Sequence, residues 1–265
     1  METVSLKFWQ EFRDYVDNEQ QTNSVYWRGQ KDPKWPLASG FERKILQLAD
    51  GYSSSTSMVY PYDGRFKRGD KYVWESGFYQ SYRDKYLNNF KSAATGLRGP
   101  SPKHLEDEEW WALGRHYGLI TPLLDWTEKP YFAAFFALSE LWVEMNMGGL
   151  VSFEGKEVAI YRLIHNANLE GDGLRIFRPV VEELGRMHGQ RGLFTWLDSE
   201  EFYELQGFLD NTGREKLLTR NVLSDQAIMQ GLKDLASHGI DYRTLFPDLL
   251  GAALHANAQL DWSLF

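Results

Sequence analysis

Tyr26-Trp27-Arg28-Gly29-Gln30 sets an arginine beside a glycine in a short aromatic run. A guanidinium fork matches the oxygens of a phosphate or a carboxylate, and a glycine next to it lets a ligand approach the backbone. The segment from Arg115 to Thr127 packs His116, Tyr117, Thr121, Asp125, Trp126 and Thr127 around Pro122, more polar groups than a plain core segment needs. Hydroxyls at Thr121 and Thr127 could order a polar ligand. Tyr117, Trp126 and the nearby Tyr131 offer rings that stack on a planar group and exclude water. A third stretch, Gly189-Gln190-Arg191-Gly192-Leu193-Phe194-Thr195, repeats this mixture.

Each of these residues has a structural alternative. Arg28 could grip a ligand or pair with an internal carboxylate such as Asp125. Asp125 could act as an acid or base, cap the following helix, or brace Arg28. His116 could bond a carbonyl at a helix end or belong to a site. Trp126 reads as a core anchor as well as a stacking platform. Gln190, if buried beside Arg28, would need hydrogen-bond partners. Glu200, Glu201 and Glu204 read first as surface carboxylates.

Other chemistries are excluded or unsupported. The chain has no cysteine, so thiolate ligands, disulfides and cysteine nucleophiles are absent. Its six histidines are scattered without metal-ligand spacing, and no metal site is expected. There is no glycine-rich dinucleotide loop, no P-loop, no His-Glu-x-x-His and no serine elbow. A net charge of −8 gives no global attraction to nucleic acid or anionic membranes, and only Arg65 to Lys71 is locally basic. The longest apolar run spans eight residues, too short to cross a bilayer, and residues 1 to 7 lack a secretory pattern. The expectation is a cytoplasmic protein without a membrane partner.

The elements that position these stretches follow from periodicity. Leu6, Phe8, Trp9, Phe12 and Tyr15 recur at helical spacing, giving an N-terminal helix over about 4–18. Residues 24 to 28 read as a strand ending at Gly29, and a helix starts near Gly40. Residues 50 to 70 read as a loop insertion. Helices are expected over Lys71 to Ala94, His104 to Tyr117 and, from Pro130, to about Met145. Strand candidates are Gly149 to Phe153 paired with Val158 to Leu163, then Leu174 to Pro179 and Gly192 to Leu197. Helices resume from Arg214, at Asp225 to Ser237 and after Pro247. The whole is a single α+β domain with helices packed around a mostly antiparallel sheet.

The three stretches together resemble the FRG domain family, named for a Phe-Arg-Gly motif that stands here as Trp27-Arg28-Gly29. The family's His-Tyr-Gly-x-x-Thr-x-Leu-Leu-Asp-Trp-Thr block is His116 to Thr127, followed by the apolar helix from Tyr131 to Leu138. Its Gln-x-Gly-x-Phe-Thr piece is Gln190 to Thr195, and its Leu-Phe-Pro-Asp-Leu element is Leu245 to Leu249. The resemblance covers about residues 20 to 255. More distantly, the arrangement is similar to ADP-ribosyltransferases of the Arg-Ser-Glu type, which implies a split sheet and NAD as substrate.

That second resemblance implies catalytic roles for Arg28, Thr127, Gln190 and Glu201. It implies NAD contacts from Arg28, Gly29, Gln30, His116, Tyr117, Thr121, Asp125, Trp126 and Tyr131. The matching third strand offers Gln190 where that type carries a glutamate, so Glu200 or Glu201 would have to supply the charge. The implied activity is ADP-ribosyl transfer to a protein or nucleic-acid target by a bacterial toxin or anti-phage effector, held in check by a neutralising partner. The alternatives are a non-catalytic module that binds a nucleotide or ADP-ribose, and an adaptor whose shared motifs only maintain the fold.

Overall fold

The computed structural model of the chain describes residues 1–19, 24–44, 65–68, 71–74, 78–99, 102–146, 152–165, 168–171, 173–179, 191–198 and 204–263. Its strands are β1 (Glu2–Leu6), β2 (Val25–Gln30), β3 (Arg65–Arg68), β4 (Lys71–Trp74), β5 (Leu123–Thr127), β6 (Glu157–Ile164), β7 (Leu174–Phe177), β8 (Gly192–Leu197) and β9 (Leu218–Ser224). The helices are α1 (Trp9–Asp17), α2 (Phe78–Ala93), α3 (Asp107–His116), α4 (Pro130–Asn146), α5 (Asn168–Gly171), α6 (Leu205–Asn211), α7 (Asp225–Ser237), α8 (Tyr242–Leu245) and α9 (Leu249–Ser263). Residues 40–44 are also helical.

Seven strands form one sheet in the order β1-β9-β6-β2-β5-β8-β7, and β3 with β4 forms a separate antiparallel ladder. Every pairing in the large sheet is antiparallel except β1 on β9. The α+β architecture with a mostly antiparallel sheet is therefore present. One junction is irregular. β2 runs along β6 over six residue pairs but meets β5 only at Trp27 and Thr127. Extending that register would set Gly29 opposite Asp125; the strands part instead.

Alternation along the strands assigns side chains to two apolar layers. Trp27, Val158, Ile160 and Leu223 pack under α1, α4 and α7. Leu123, Phe194 and Trp196 pack under α2 and α3. On the opposite face, Tyr26, Leu124, Trp126, Tyr161 and Leu193 pack against Leu37 and α6. Gly29 lies directly under α4: a Cβ there would stand 1.9 Å from the Ala133 carbonyl oxygen. No larger residue fits while α4 keeps its distance from β2.

Four expected elements differ. The N-terminal helix begins at Trp9, because residues 2–6 form β1, an edge strand parallel to β9. Glu11 accepts the Phe8 backbone N–H at 3.0 Å and fixes the helix start. The helix expected from Lys71 starts at Phe78, since Lys71–Trp74 pairs with β3. Ser152 and Phe153 are not strand, and β6 takes as neighbours β2 and β9, both distant in sequence. The helix expected from Arg214 is instead a short 3₁₀ turn followed by β9, which is paired on both sides. Its buried Leu218, Thr219, Asn221 and Leu223 fit that interior position.

Candidate functional site

Where β2 and β5 part, a cleft of about 340 Å³ opens. Arg28 reaches into the gap. Its Nη1 donates to the Asp125 carbonyl at 2.9 Å, an oxygen that a continuous ladder would have given to β2, and lies 3.5 Å from Asp125 Oδ2. The side chain is only 13% exposed, and its Nε has no hydrogen-bond partner among the described residues. Burial pulls the guanidinium below the ordinary arginine value; Asp125 opposes that, while Arg115 and Arg43 add to it. It stays charged at any physiological pH.

Arg115, in the last turn of α3, donates Nε to Asp125 Oδ1 at 2.8 Å and Nη2 to Oδ2. This is the two-pronged geometry in which guanidinium and carboxylate bind most firmly. Burial works against ionised Asp125, yet Arg115 and Arg28 outweigh it and hold the carboxyl below its usual range. One carboxylate thus serves two arginines, and 43% of its side chain stays open to the cleft.

Two more charges complete the lining. Arg43, from the helical turn at 40–44, donates to the Ala38 carbonyl at 2.9 Å. Glu140 projects from α4 one turn beyond Phe136, so both sit on the helix face that meets the cleft. Burial raises the Glu140 carboxyl above its ordinary value, against the pull of Arg28 and Lys31. Three arginines against two carboxylates leave one positive charge in excess among the described lining residues. Trp35, Phe136 and Phe246 form apolar walls, with the Phe136 and Phe246 rings edge-to-face at 6.0 Å.

Of the residues singled out from sequence, Arg28, Gly29, Gln30, Asp125, Trp126 and Thr127 all line this cleft. Trp126 also anchors the core, its indole N–H donating to Thr195 Oγ1 at 2.9 Å. Thr127 Oγ1 accepts the Lys129 N–H at 3.2 Å just before α4. Four others stand apart. His116 and Tyr117 lie at the exposed end of α3, where Tyr117 is 70% exposed and packs edge-on against the His116 ring. Thr121 is fully buried beneath the helical turn at 40–44, its carbonyl accepting the Phe41 N–H. Tyr131 packs on Trp9 and Phe12 of α1. Their absence from the cleft follows from the end of α3 turning outward and from the far side of α4 facing α1. Gln190, Glu200 and Glu201 lie outside the described residues, as does most of the 50–70 insertion. Glu204 lines a water-sized crevice with Ser39 and Glu42 instead.

Arg43, Arg115, Glu140, Trp35 and Phe246 were not singled out by their chemistry. Glu140 did carry a signal, as the first charge in the otherwise apolar stretch from Tyr131 to Leu138 and beyond. Among the described residues no group of three His, Asp or Glu is placed to hold a metal ion, and no helix is long and apolar enough to cross a membrane.

No curated protein and no solved structure matches the chain. Residues 23–144 match the FRG domain, a stretch that includes Arg28, Asp125, Thr127 and Glu140.

Proposed function

We propose that the cleft binds NAD and that the protein transfers ADP-ribose from it to a macromolecular target. The observation that carries this reading is Arg28, a buried arginine whose only carboxylate partner among the described residues is already held from two sides by Arg115. A cationic surplus between aromatic walls suits a phosphate-bearing ligand with a planar ring. In the transfer step the bond between nicotinamide and the ribose C1′ breaks, nicotinamide leaves neutral with the electron pair, and a target nucleophile takes C1′ and releases its proton. In this reading Glu140, which lines the cleft, is the carboxylate that faces the positive charge growing on the ribose. It forms no ion pair among the described residues, whereas Asp125 is committed to Arg115. The target is a protein or a nucleic acid. An activity of this kind in a toxin or anti-phage effector would need a neutralising partner in the cell.

A second reading needs no carboxylate: the same cleft, with its arginines and aromatic walls, is a nucleotide or ADP-ribose binding site without turnover. Purified protein incubated with labelled NAD and lysate separates the two. Label on macromolecules and free nicotinamide, both lost in Arg28→Ala, support transfer. Saturable NAD binding without nicotinamide release supports the module, and absence of any binding by native protein would rule out both.

A further inference from the structure

Gln30 lines the cleft two residues after Arg28 and is only 3% exposed. Its Nε2 donates to two backbone carbonyls, Trp35 at 2.8 Å and Asp32 at 3.2 Å. Those acceptors settle which end of the amide is nitrogen, because a flipped amide would set its oxygen against both. The oxygen Oε1 is left buried with no partner among the described residues. Arg28 Nε, a donor, is buried and unpartnered in the same way. A buried acceptor or donor without a partner costs free energy that a bound ligand recovers.

Residues 28 and 30 project to the same face of β2, with Cα atoms roughly 6.6 Å apart. A single ligand group that satisfies both must offer an acceptor to Arg28 and an N–H donor to Gln30. Deepening the NAD reading on which it rests, we infer that Arg28 Nε and Gln30 Oε1 together read an amide-like edge of the ligand, an acceptor beside an N–H donor. The edge accepts from Arg28 and donates to Gln30. In NAD that chemistry occurs twice, on the carboxamide of nicotinamide and on the amino edge of adenine. A carboxylate fails, since it has no donor and presses a negative oxygen on Oε1. Charge alone argues the opposite way, because the cationic surplus of the cleft favours a ligand with an added negative charge.

The test is calorimetric binding of three dinucleotides with the same pyrophosphate: NAD, nicotinic acid adenine dinucleotide and nicotinamide hypoxanthine dinucleotide. NAD binding about tenfold tighter than the nicotinic acid form locates the edge on the carboxamide. The same preference over the hypoxanthine form, in which donor and acceptor change places along that edge, locates it on adenine. Either supports the inference, provided the preference collapses towards unity in Gln30→Met. Equal binding of all three by native protein overturns the inference and leaves the NAD reading standing, as does a preference that survives in Gln30→Met. If native protein binds none of them, both fall. The native comparison alone carries the decision if Gln30→Met does not fold.

Discussion

Arg115 and Asp125 meet through two parallel hydrogen bonds, Nε to Oδ1 at 2.8 Å and Nη2 to Oδ2, although one ends a helix and the other is mid-strand. The pair ties α3 to β5 and turns the free edge of the Asp125 carboxylate towards Arg28. Asp125 is thereby a brace for two cations. Its charge is spoken for before any ligand arrives.

Asp125→Asn should therefore act first on stability. It leaves two neighbouring guanidinium groups without their counter-charge, and the partial exposure of the site reduces the loss from the buried-pair range to about 2 kcal/mol. The folded carboxyl titrates below its unfolded value, so its contribution is complete above the ordinary aspartate range near pH 3.9 and is lost as pH falls through the folded value. Urea denaturation of both proteins should show the gap at pH 7 and its closure in strong acid. An unchanged midpoint at pH 7 would contradict the bracing role.

Gly29→Ala tests the other half of the Arg-Gly pair. The added methyl would stand 1.9 Å from the Ala133 oxygen and 2.7 Å from the Ala137 nitrogen, both helix backbone, so α4 must move away from β2. We expect a loss of about 3 kcal/mol or more, read as a lower thermal midpoint. NAD affinity should fall as well, since Phe136 and Glu140 ride on the displaced helix. A variant as stable as the native chain would mean that the helix yields freely.

Much of this was legible in the residues themselves. Arg28, Gly29, Gln30, Asp125, Trp126 and Thr127 were marked by type and order, and they converge because they sit on the two strands that part. Arg43 was hidden, and Glu140 stood out only as a charge in an apolar stretch, since helical periodicity reveals which face is buried and says little about which end meets a cleft. The helix start expected near Gly40 is closed by a capping box not read from the sequence: Ser39 Oγ accepts from Glu42 N, and Glu42 Oε2 accepts from Ser39 N. β9 was missed because its charged approach, Arg214 to Lys216, masks a seven-residue strand whose pairing with β1 and β6 is wholly non-local.

That capping box predicts a pH dependence. Glu42 is buried against Tyr79, whose hydroxyl donates to it, and burial raises its carboxyl to about 7 despite the bonds from Tyr79 and Ser39. The folded state thus holds this proton more tightly than the unfolded chain does. Stability should fall as pH rises from about 4.3 to about 7 and level off above, a cost on the order of 3 kcal/mol. Glu42→Gln keeps the shape without the charge. Its denaturation midpoint should exceed that of the native chain at pH 8 and converge with it near pH 5. A native chain at least as stable at pH 8 would show that Tyr79 and the charge of Arg83, which also favours the Glu42 carboxylate, offset the burial fully.

Glu140→Gln bears on turnover itself. Glu140 lies on the same cleft wall as Phe136, near enough to Arg28 and Lys31 for both to pull its carboxyl down against burial. The amide has nearly the same volume, so the cleft should keep its form and its aromatic walls. Removing one negative charge from a cationic lining should leave binding of the NAD pyrophosphate unchanged or a few-fold tighter. What it removes is the charge that would face an oxocarbenium-like ribose. If that charge acts in the transition state, nicotinamide release should fall about a hundredfold or more with little change in NAD affinity. Calorimetry and a nicotinamide assay on the same preparation decide the matter. Retained release in Glu140→Gln would remove this residue from the reaction and direct attention to the carboxylates at 200 and 201.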